Sequence, residues 1–315
     1  MLPMPRRQFL GRFVAGSGLA LVAACSRRAA DGDVLRVGDQ RGGQRVVLAA
    51  TGVLDHLPYK VEWSAFPNAA PLLEALSIGA IDTGYGGDAA FIFALGSGAQ
   101  IKVIGAQKHT GPGPVVVVRG DSPVRSLDQL AGLRIATPRG SIAHNLVLAA
   151  LEAAGKPLDA VDFAFLSPHD GEAALKGGSV DAWAIWDPNA TVATKQGARI
   201  LPGGEGLVPA YTLEFASQNA IAGKRALLKD FSDKLYDGWR WAAAHPDAHA
   251  ALMEKETGLS AAIWQETARR SLRPPVPITP ELIAAEQQTA DRYVRAGLLP
   301  AKIDVAPGFD TSFHS

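Results

Sequence analysis

Two similar α/β lobes, each a central, mostly parallel sheet flanked by helices, joined by two hinge crossings, are the fold this sequence predicts. Three observations predict it. Short apolar runs alternate with helical patterns at the spacing of βα units, which implies largely parallel sheets. A pattern of about sixteen residues occurs twice, 99 positions apart: Ala75-Leu76-Ser77-Ile78-Gly79-Ala80-Ile81-Asp82 leading to Tyr85-Gly86-Gly87-Asp88, and Ala174-Leu175-Lys176-Gly177-Gly178-Ser179-Val180-Asp181 leading to Ile185-Trp186-Asp187. Third, the alternation restarts after Gly111-Pro112-Gly113-Pro114, the expected point of passage into another lobe. Each copy of the repeat reads as helix, strand and helix start, with a glycine at the left-handed C-cap position and an aspartate opening the strand. Its second aspartate falls at the carboxyl end of a strand and the start of the next helix, where open α/β sheets bind ligands. Two βα units of a single sheet would share this grammar, so the repeat suggests two lobes without requiring them.

Along the chain, Val34 to Gly38 reads as a buried strand, followed by the turn Asp39-Gln40-Arg41-Gly42-Gly43 and an apolar helix from Val46 to Val53. Tyr59 to Phe66 is the next strand. Asn68 caps a helix with Pro71 in its first turn and Leu72, Leu73 and Leu76 on one face. Ile81 to Tyr85, Ala89 to Leu95 and Ile101 to Gly105 continue as strand, helix and strand. Beyond the restart, Val115 to Val118 is a strand, Ser126-Leu127-Asp128-Gln129 matches a capping box, and Leu133 to Ala136 is a strand leading through Thr137-Pro138-Arg139-Gly140-Ser141 to a helix from Ile142 to Ala154. Val161 to Leu166, the cap Ser167-Pro168-His169-Asp170, Ala182 to Trp186 and Arg199 to Leu201 follow. Tyr211 to Ala216 is a strand that carries the chain back, and the remainder is helical, with cap signals at Ser260 and Thr279-Pro280 and its strongest helix from Leu282 to Val294. Residues 26–112 with 216–315 are thus expected to form one lobe and 113–215 the other.

Residues 1–25 are expected to stand outside the fold. Arg6-Arg7-Gln8-Phe9-Leu10 is a twin-arginine export pattern, and the apolar stretch from Phe13 to Ala24 is shorter than the roughly 20 residues that span a bilayer. Val22-Ala23-Ala24-Cys25 resembles a lipobox, so the single cysteine of the chain is expected to be lipidated and to tether the exported protein to a membrane; plain signal cleavage is the alternative. The whole chain is formally neutral, and loss of a leader carrying three arginines and no acid leaves a net charge near −3, which argues against a nucleic-acid partner. Hydrophobic residues at 47% against 20% charged describe a filled core rather than disorder.

Helix starts after Gln40, after Gly87-Asp88 and after Gly140-Ser141 converge in this reading, joined by Trp186-Asp187 from the second repeat. Their unpaired N–H groups and positive dipole ends suit an anion such as a sulfonate, which only accepts hydrogen bonds. Candidate ligand contacts are Gln40, Gly87, Asp88, Ala89, Phe91, Ser141, His144, Trp186, Asp187 and Tyr211. Asp88, Ser141 and Asp187 read equally as plain N-caps, and the two carboxylates fit beside an anion only if their oxygens are otherwise satisfied. Trp183, three residues before Trp186, points to the opposite face and reads as core. Arg41, Arg119 and Arg139 are possible charge partners that read more readily as surface residues. No Gly-x-Ser-x-Gly, phosphate loop or His-Glu-x-x-His is present, so neither enzyme, cofactor nor metal is expected; His245 and His249 share a helical face without a third ligand.

At these same residues the chain resembles the aliphatic-sulfonate-binding proteins of ABC importers, within the group that also holds taurine and nitrate binders and thiamine-precursor proteins. The resemblance rests on Leu35-Arg36-Val37-Gly38-Asp39-Gln40, Val61-Glu62-Trp63, Phe66-Pro67, Glu74-Ala75-Leu76, Gly79, Ile81-Asp82, Gly87-Asp88, Ser122-Pro123, Gly140-Ser141, His144-Asn145, the run from Val180 to Pro188, Pro277-Ile278-Thr279-Pro280 and Gly297-Leu298-Leu299-Pro300. It implies a type II-like periplasmic-binding-protein fold and a monomer that closes on an organosulfonate without catalysis. It also implies delivery to a membrane permease and its ATPase. Departures fall near the expected ligand: Asp39 replaces a tyrosine, Ala90-Phe91 replaces Pro-Pro, Gln107-Lys108-His109-Thr110 replaces a proline-rich turn, and Asn189 replaces an aromatic residue. Phe91 in place of proline points toward an aromatic sulfonate or sulfate ester. Another small anion, a thiamine-like pyrimidine, an enzyme on the same fold, or a regulator's effector domain are the rival readings; the leader and the missing helix-turn-helix oppose the last.

Overall fold

The computed structural model describes residues 34–40 and 43–314; the leader with Cys25, and Arg41, lie outside the described residues. Strands β1 (Val34–Gln40), β2 (Lys60–Phe66), β3 (Thr83–Gly87), β4 (Ile101–Lys108), β10 (Tyr211–Ser217) and β11 (Pro275–Val276) form one sheet in the order β11-β4-β10-β3-β1-β2. Strands β5 (Pro114–Val118), β6 (Arg134–Thr137), β7 (Asp162–Phe165), β8 (Ala182–Trp186) and β9 (Arg199–Ile200) form the other, in the order β7-β6-β8-β5-β9. In the first sheet, β1 pairs in parallel with β2 and β3, and in the second, β6 pairs in parallel with β7 and β8. Each sheet is nonetheless mixed, since β10 runs antiparallel to β3 and β4, and β5 antiparallel to β8 and β9. The physical reason is the route of the chain. Both strands arrive from the opposite lobe, so no right-handed helical crossover constrains their direction.

The repeat recurs in three dimensions. Helices α2 (Ala69–Ser77) and α5 (Pro168–Lys176) both end in a left-handed glycine, Gly79 and Gly178, each at φ 72°. The Ala80 N–H then bonds the Ala75 carbonyl at 2.9 Å, as the Ser179 N–H bonds the Ala174 carbonyl at 3.1 Å. These are the orphan carbonyls of a helix end satisfied by a left-handed turn. The Asp82 N–H donates to the Arg36 carbonyl at 2.8 Å while the Asp82 carboxylate accepts from the Arg36 N–H at 2.8 Å. Asp181 repeats both bonds with Arg134 at the same distances. In each lobe an aspartate thereby locks the entry of a strand to its parallel neighbour, which sets where the following helix begins.

Helices α1 (Gly43–Ala50), α3 (Asp88–Gly96), α4 (Ile142–Ala153) and α6 (Asn189–Lys195) follow β1, β3, β6 and β8. The helical C-terminal part comprises α7 (Gln218–Ala244), α8 (Pro246–Thr257), α9 (Ala261–Arg270) and α10 (Pro280–Arg295). The Thr279 hydroxyl caps α10 by accepting from the Leu282 N–H, whereas Ser260 makes no side-chain cap. The capping box expected at Ser126 does not open an α-helix: only a 3-10 turn forms, and the Gln129 side chain accepts from the Arg125 N–H instead. Lobe cores centre on Leu72, Phe91, Val103 and Phe215 in one half and on Val116, Ile135, Leu146 and Ala184 in the other. Helix α10 crosses between halves, its Arg292 reaching Glu152 of α4 at 2.7 Å and the Tyr293 hydroxyl donating to the Ser141 carbonyl at 3.3 Å.

Candidate functional site

The carboxyl ends of β1, β3 and β8, with the turns after β3 and β6, open into one crevice between the sheets. A first chamber of about 900 Å³, its mouth included, is lined by Gln40, Tyr85, Gly87, His109, Arg139, Ser141, Trp186, Tyr211 and Arg273 among others. A second, of about 1080 Å³, shares Gln40, Tyr85, Trp186, Asp187, Thr267, Ser271 and Arg273 with it and extends between Trp239, Met253 and Trp264. The two chambers are therefore one continuous crevice with a polar end and an aromatic end.

Four helix starts surround it, and three carry a carboxylate. Asp39 accepts the N–H groups of Gln40 at 2.8 Å, Gln44 at 3.1 Å and Arg45 at 3.4 Å, at the opening of α1. Burial pushes its carboxyl up to about 6, against the downward pull of those N–H groups. Asp88 accepts from its neighbour Ala89 at 2.6 Å and from the Tyr211 N–H at 3.2 Å, and burial pushes it up to about 7. Asp187 accepts from the Thr191 N–H at 3.0 Å and hydroxyl at 2.7 Å, and its second oxygen meets the Arg270 guanidinium at 3.1 Å across the crevice. The requirement that these carboxylates be satisfied elsewhere is thus met by N–H groups, a hydroxyl and an arginine.

Helix α4 differs. Its cap is the neutral Ser141 hydroxyl, which accepts from the His144 N–H at 3.2 Å. The N–H groups of Ile142 and Ala143 precede the first intrahelical bond, so the positive end of this dipole has no resident carboxylate. Gly140, at φ 68°, turns the chain into this start, and a Cβ there would lie 2.7 Å from the Phe93 ring of the other lobe.

The cations divide by partner. Arg139 stands 5.1 Å from the Phe165 ring centroid and lines the polar chamber. Arg273, in the extended segment after α9, lines both chambers, and its guanidinium has no hydrogen-bond or ion-pair partner among the described residues. Burial lowers its pKa, while Tyr85 and Asp187 act in the opposite sense. The imidazole of His109, beside it, is held neutral: burial and the Arg273 charge push its pKa down to about 3. Sequence reasoning missed Arg273, and it marked His109 only as part of a departure near the expected ligand. The only sequence signal was Pro274-Pro275, which marks an extended segment, for the orientation of Arg273 follows from tertiary bonds of the Leu272 and Pro274 carbonyls to Thr110 and Lys108, at 3.0 and 3.1 Å.

Six of the ten candidate residues line the polar chamber: Gln40, Gly87, Ser141, Trp186, Asp187 and Tyr211. Four do not. Phe91 is fully buried, its ring 5.7 Å from that of Phe215 and 5.4 Å from that of Phe309, because α3 is apolar on every side and is enclosed by core. This corrects the expectation that it meets the ligand's organic part. His144 is also fully buried, packed on Phe163, its Nδ1 accepting from the Gly140 N–H at 3.2 Å; it belongs to the turn rather than to the crevice. Asp88 and Ala89 lie behind the wall, engaged with Tyr211 and with each other. Trp183 is buried, and Arg119 is turned to the Val180 carbonyl and Asp121. His249 lines the aromatic end beside Trp239, whereas His245 stacks on Trp241; among the described residues no group of three His, Cys, Asp or Glu is placed to hold a metal. Ser232, His314 and Asp233 stand in serine–histidine–aspartate order at 2.7 and 3.5 Å, but Ser232 is fully buried and lines neither chamber.

Over residues 60–249 the chain matches the family described as NMT1/THI5 like. It is 33% identical over 280 residues to an aliphatic sulfonates-binding protein of Escherichia coli (strain K12), covering 87% of both chains. The alkanesulfonate-binding protein SsuA from Xanthomonas axonopodis pv. citri, solved bound to MOPS, superposes with a TM-score of 0.82 at 32% identity, covering 90% of this chain and 99% of that one. The periplasmic aliphatic sulphonate binding protein SsuA from Escherichia coli gives 0.78 at 31%, covering 88% and 91%.

Proposed function

The chain belongs to the NMT1/THI5-like family, and from that premise we propose that it is the substrate-binding component of an ABC importer, capturing an organosulfonate between its lobes and delivering it to a membrane permease worked by an ATPase. The observation that carries this reading is that Arg273, whose guanidinium has no hydrogen-bond or ion-pair partner among the described residues, lines the same chamber as the start of α4, the one of the four helix starts without a carboxylate of its own. A guanidinium fork and backbone N–H groups together supply donors to a head group that only accepts. Ser141 and Gln40 add polar contacts, and Trp186 and Tyr211 flank the organic part. Closure follows from the ligand's preference for the shut form, which joins contacts from both lobes. Lobe one is taken to comprise residues 26–112 with 216–315, and lobe two residues 113–215. The function is binding without chemistry, by a monomer exported through the twin-arginine leader to the periplasm and tethered there by lipidated Cys25.

Calorimetry with the mature protein against alkane- and arenesulfonates, sulfate esters and nitrate tests the reading. A sulfonate dissociation constant well below the millimolar range supports it; no sulfonate binding below roughly 1 mM, which corresponds to about 4 kcal/mol, rejects it. Mass spectrometry of the exported protein tests the tether, which a start without diacylglycerol on Cys25 would exclude.

A further inference from the structure

Beyond the head-group end, the crevice continues into a chamber larger than a sulfonate requires. Its walls are contributed by α7, α8 and α9, with Trp186 and Asp187 closing it from the other lobe. Trp239 and Trp264 are each 8% exposed and Met253 4%, so these side chains are held by the core around them and present fixed surfaces to the chamber. Met253 and Trp264 pack with Val46 and Ala250 in a cluster of their own, which keeps that wall rigid. The edge of Tyr85 meets Trp239 at 6.4 Å between ring centroids, which continues the aromatic wall back to the polar chamber. Three indoles and a thioether around one space favour a flat ring system, because aromatic pairs and sulfur–aromatic contacts add to simple burial and a rigid ring loses little freedom on docking. Arg273 stands at the junction, lining both ends.

We propose that the second chamber seats an aromatic ring, so that the cargo is an arylsulfonate whose head group meets Arg273 and whose ring lies among Trp186, Trp239 and Trp264. This rests on the sulfonate reading above and deepens it. It does not depend on Phe91, whose place in the core removes it from any contact with the tail.

The test compares ethanesulfonate with 2-naphthalenesulfonate by calorimetry on the mature protein, together with two variants, Ala243→Trp and Ala268→Trp, that fill the chamber from α7 and from α9 without opening a cavity. Both alanines line the chamber, and either variant suffices if the other fails to fold by circular dichroism. The expected result is binding of 2-naphthalenesulfonate at least tenfold tighter than ethanesulfonate, with that advantage lost in the filled variant and ethanesulfonate affinity held within about threefold. Equal or tighter binding of ethanesulfonate by the unmodified protein overturns the aryl inference and leaves the sulfonate function standing. Retention of the aryl preference in a folded, filled variant overturns the placement of the ring. Failure of both sulfonates to bind overturns the function itself, and the inference with it.

Discussion

Replacing Arg273 by methionine is expected to move two quantities in opposite directions. In the ligand-free protein the guanidinium is largely removed from water with no hydrogen-bond or ion-pair partner among the described residues, and its pKa is lowered by that burial. An ion fully buried costs several kcal/mol, but Arg273 opens onto the crevice, so about 1 kcal/mol is a reasonable share. Its removal should therefore raise the melting temperature by about 2–4 °C in a chain of this size. Binding should suffer. Hydrogen bonds to charged groups contribute about 1.5–3 kcal/mol, and a two-pronged contact near the upper value corresponds to roughly a hundredfold loss of sulfonate affinity. Arg273→Lys keeps the charge and loses the fork, so an intermediate loss of about tenfold is expected. Differential scanning fluorimetry without ligand and calorimetry with it measure the two arms. A methionine variant that melts lower than the parent while binding sulfonate within threefold of it would refute the reasoning, because Arg273 would then be a structural residue.

Ser141→Asp preserves a good N-cap but gives α4 the carboxylate that the other three starts carry; stability within about 0.5 kcal/mol of the parent and at least a tenfold loss of anion affinity are expected in denaturant titration and calorimetry. Arg270→Gln leaves the Asp187 carboxylate uncompensated in the crevice, so anion affinity should fall about tenfold, and adding Asp187→Asn should restore most of it in a double-mutant cycle. Phe91→Ala should cost about 3–5 kcal/mol of stability and leave the order of preference among sulfonates unchanged, as expected for a core residue. Burial pushes the Glu214 carboxyl from 4.5 up to about 7. Folding thus favours its protonated form: the contribution is full below about pH 4.5 and is lost as pH rises to about 7, a change of about 3 kcal/mol. Calorimetric melting profiles across that window should be flatter for Glu214→Gln than for the parent.

Strand and helix identities were legible because each lobe repeats a local device. Gly79 and Gly178 occupy left-handed positions that a side chain disfavours, and Asp82 and Asp181 each hold the backbone of an arginine on the neighbouring strand, so residue types alone marked the βα joints. The direction of β5 and β10 was not legible, since an apolar run carries no sign of which way it enters a sheet. That Ser141 and Trp186, beside the joints, line the crevice was legible for the same local reason. Phe91 and His144 were misplaced because a first-turn position does not disclose which face of the helix is enclosed. Arg273 was hidden because its place in the crevice depends on segments distant in sequence, residues 108–110 on one side and β3 and β8 on the other.

Helix starts alone do not make this crevice an anion site. At α1, α3 and α6 first-turn N–H groups are engaged by Asp39, Asp88 and Asp187, which in their ionised forms offset the dipole ends they cap. Convergence of these helices therefore fixes the shape of the walls and brings the lobes into register, with the Asp187–Arg270 pair neutral across the gap. In the proposed reading, net attraction for an oxyanion comes from what these carboxylates do not offset: the start of α4 and Arg139 in one lobe, and the Arg273 guanidinium in the other. Because these sources belong to different lobes, the proposed binding mode implies that an anion bridging them would stabilise the shut form over the open one. On the proposed function, donors on opposite sides of the hinge would couple recognition of the head group to closure.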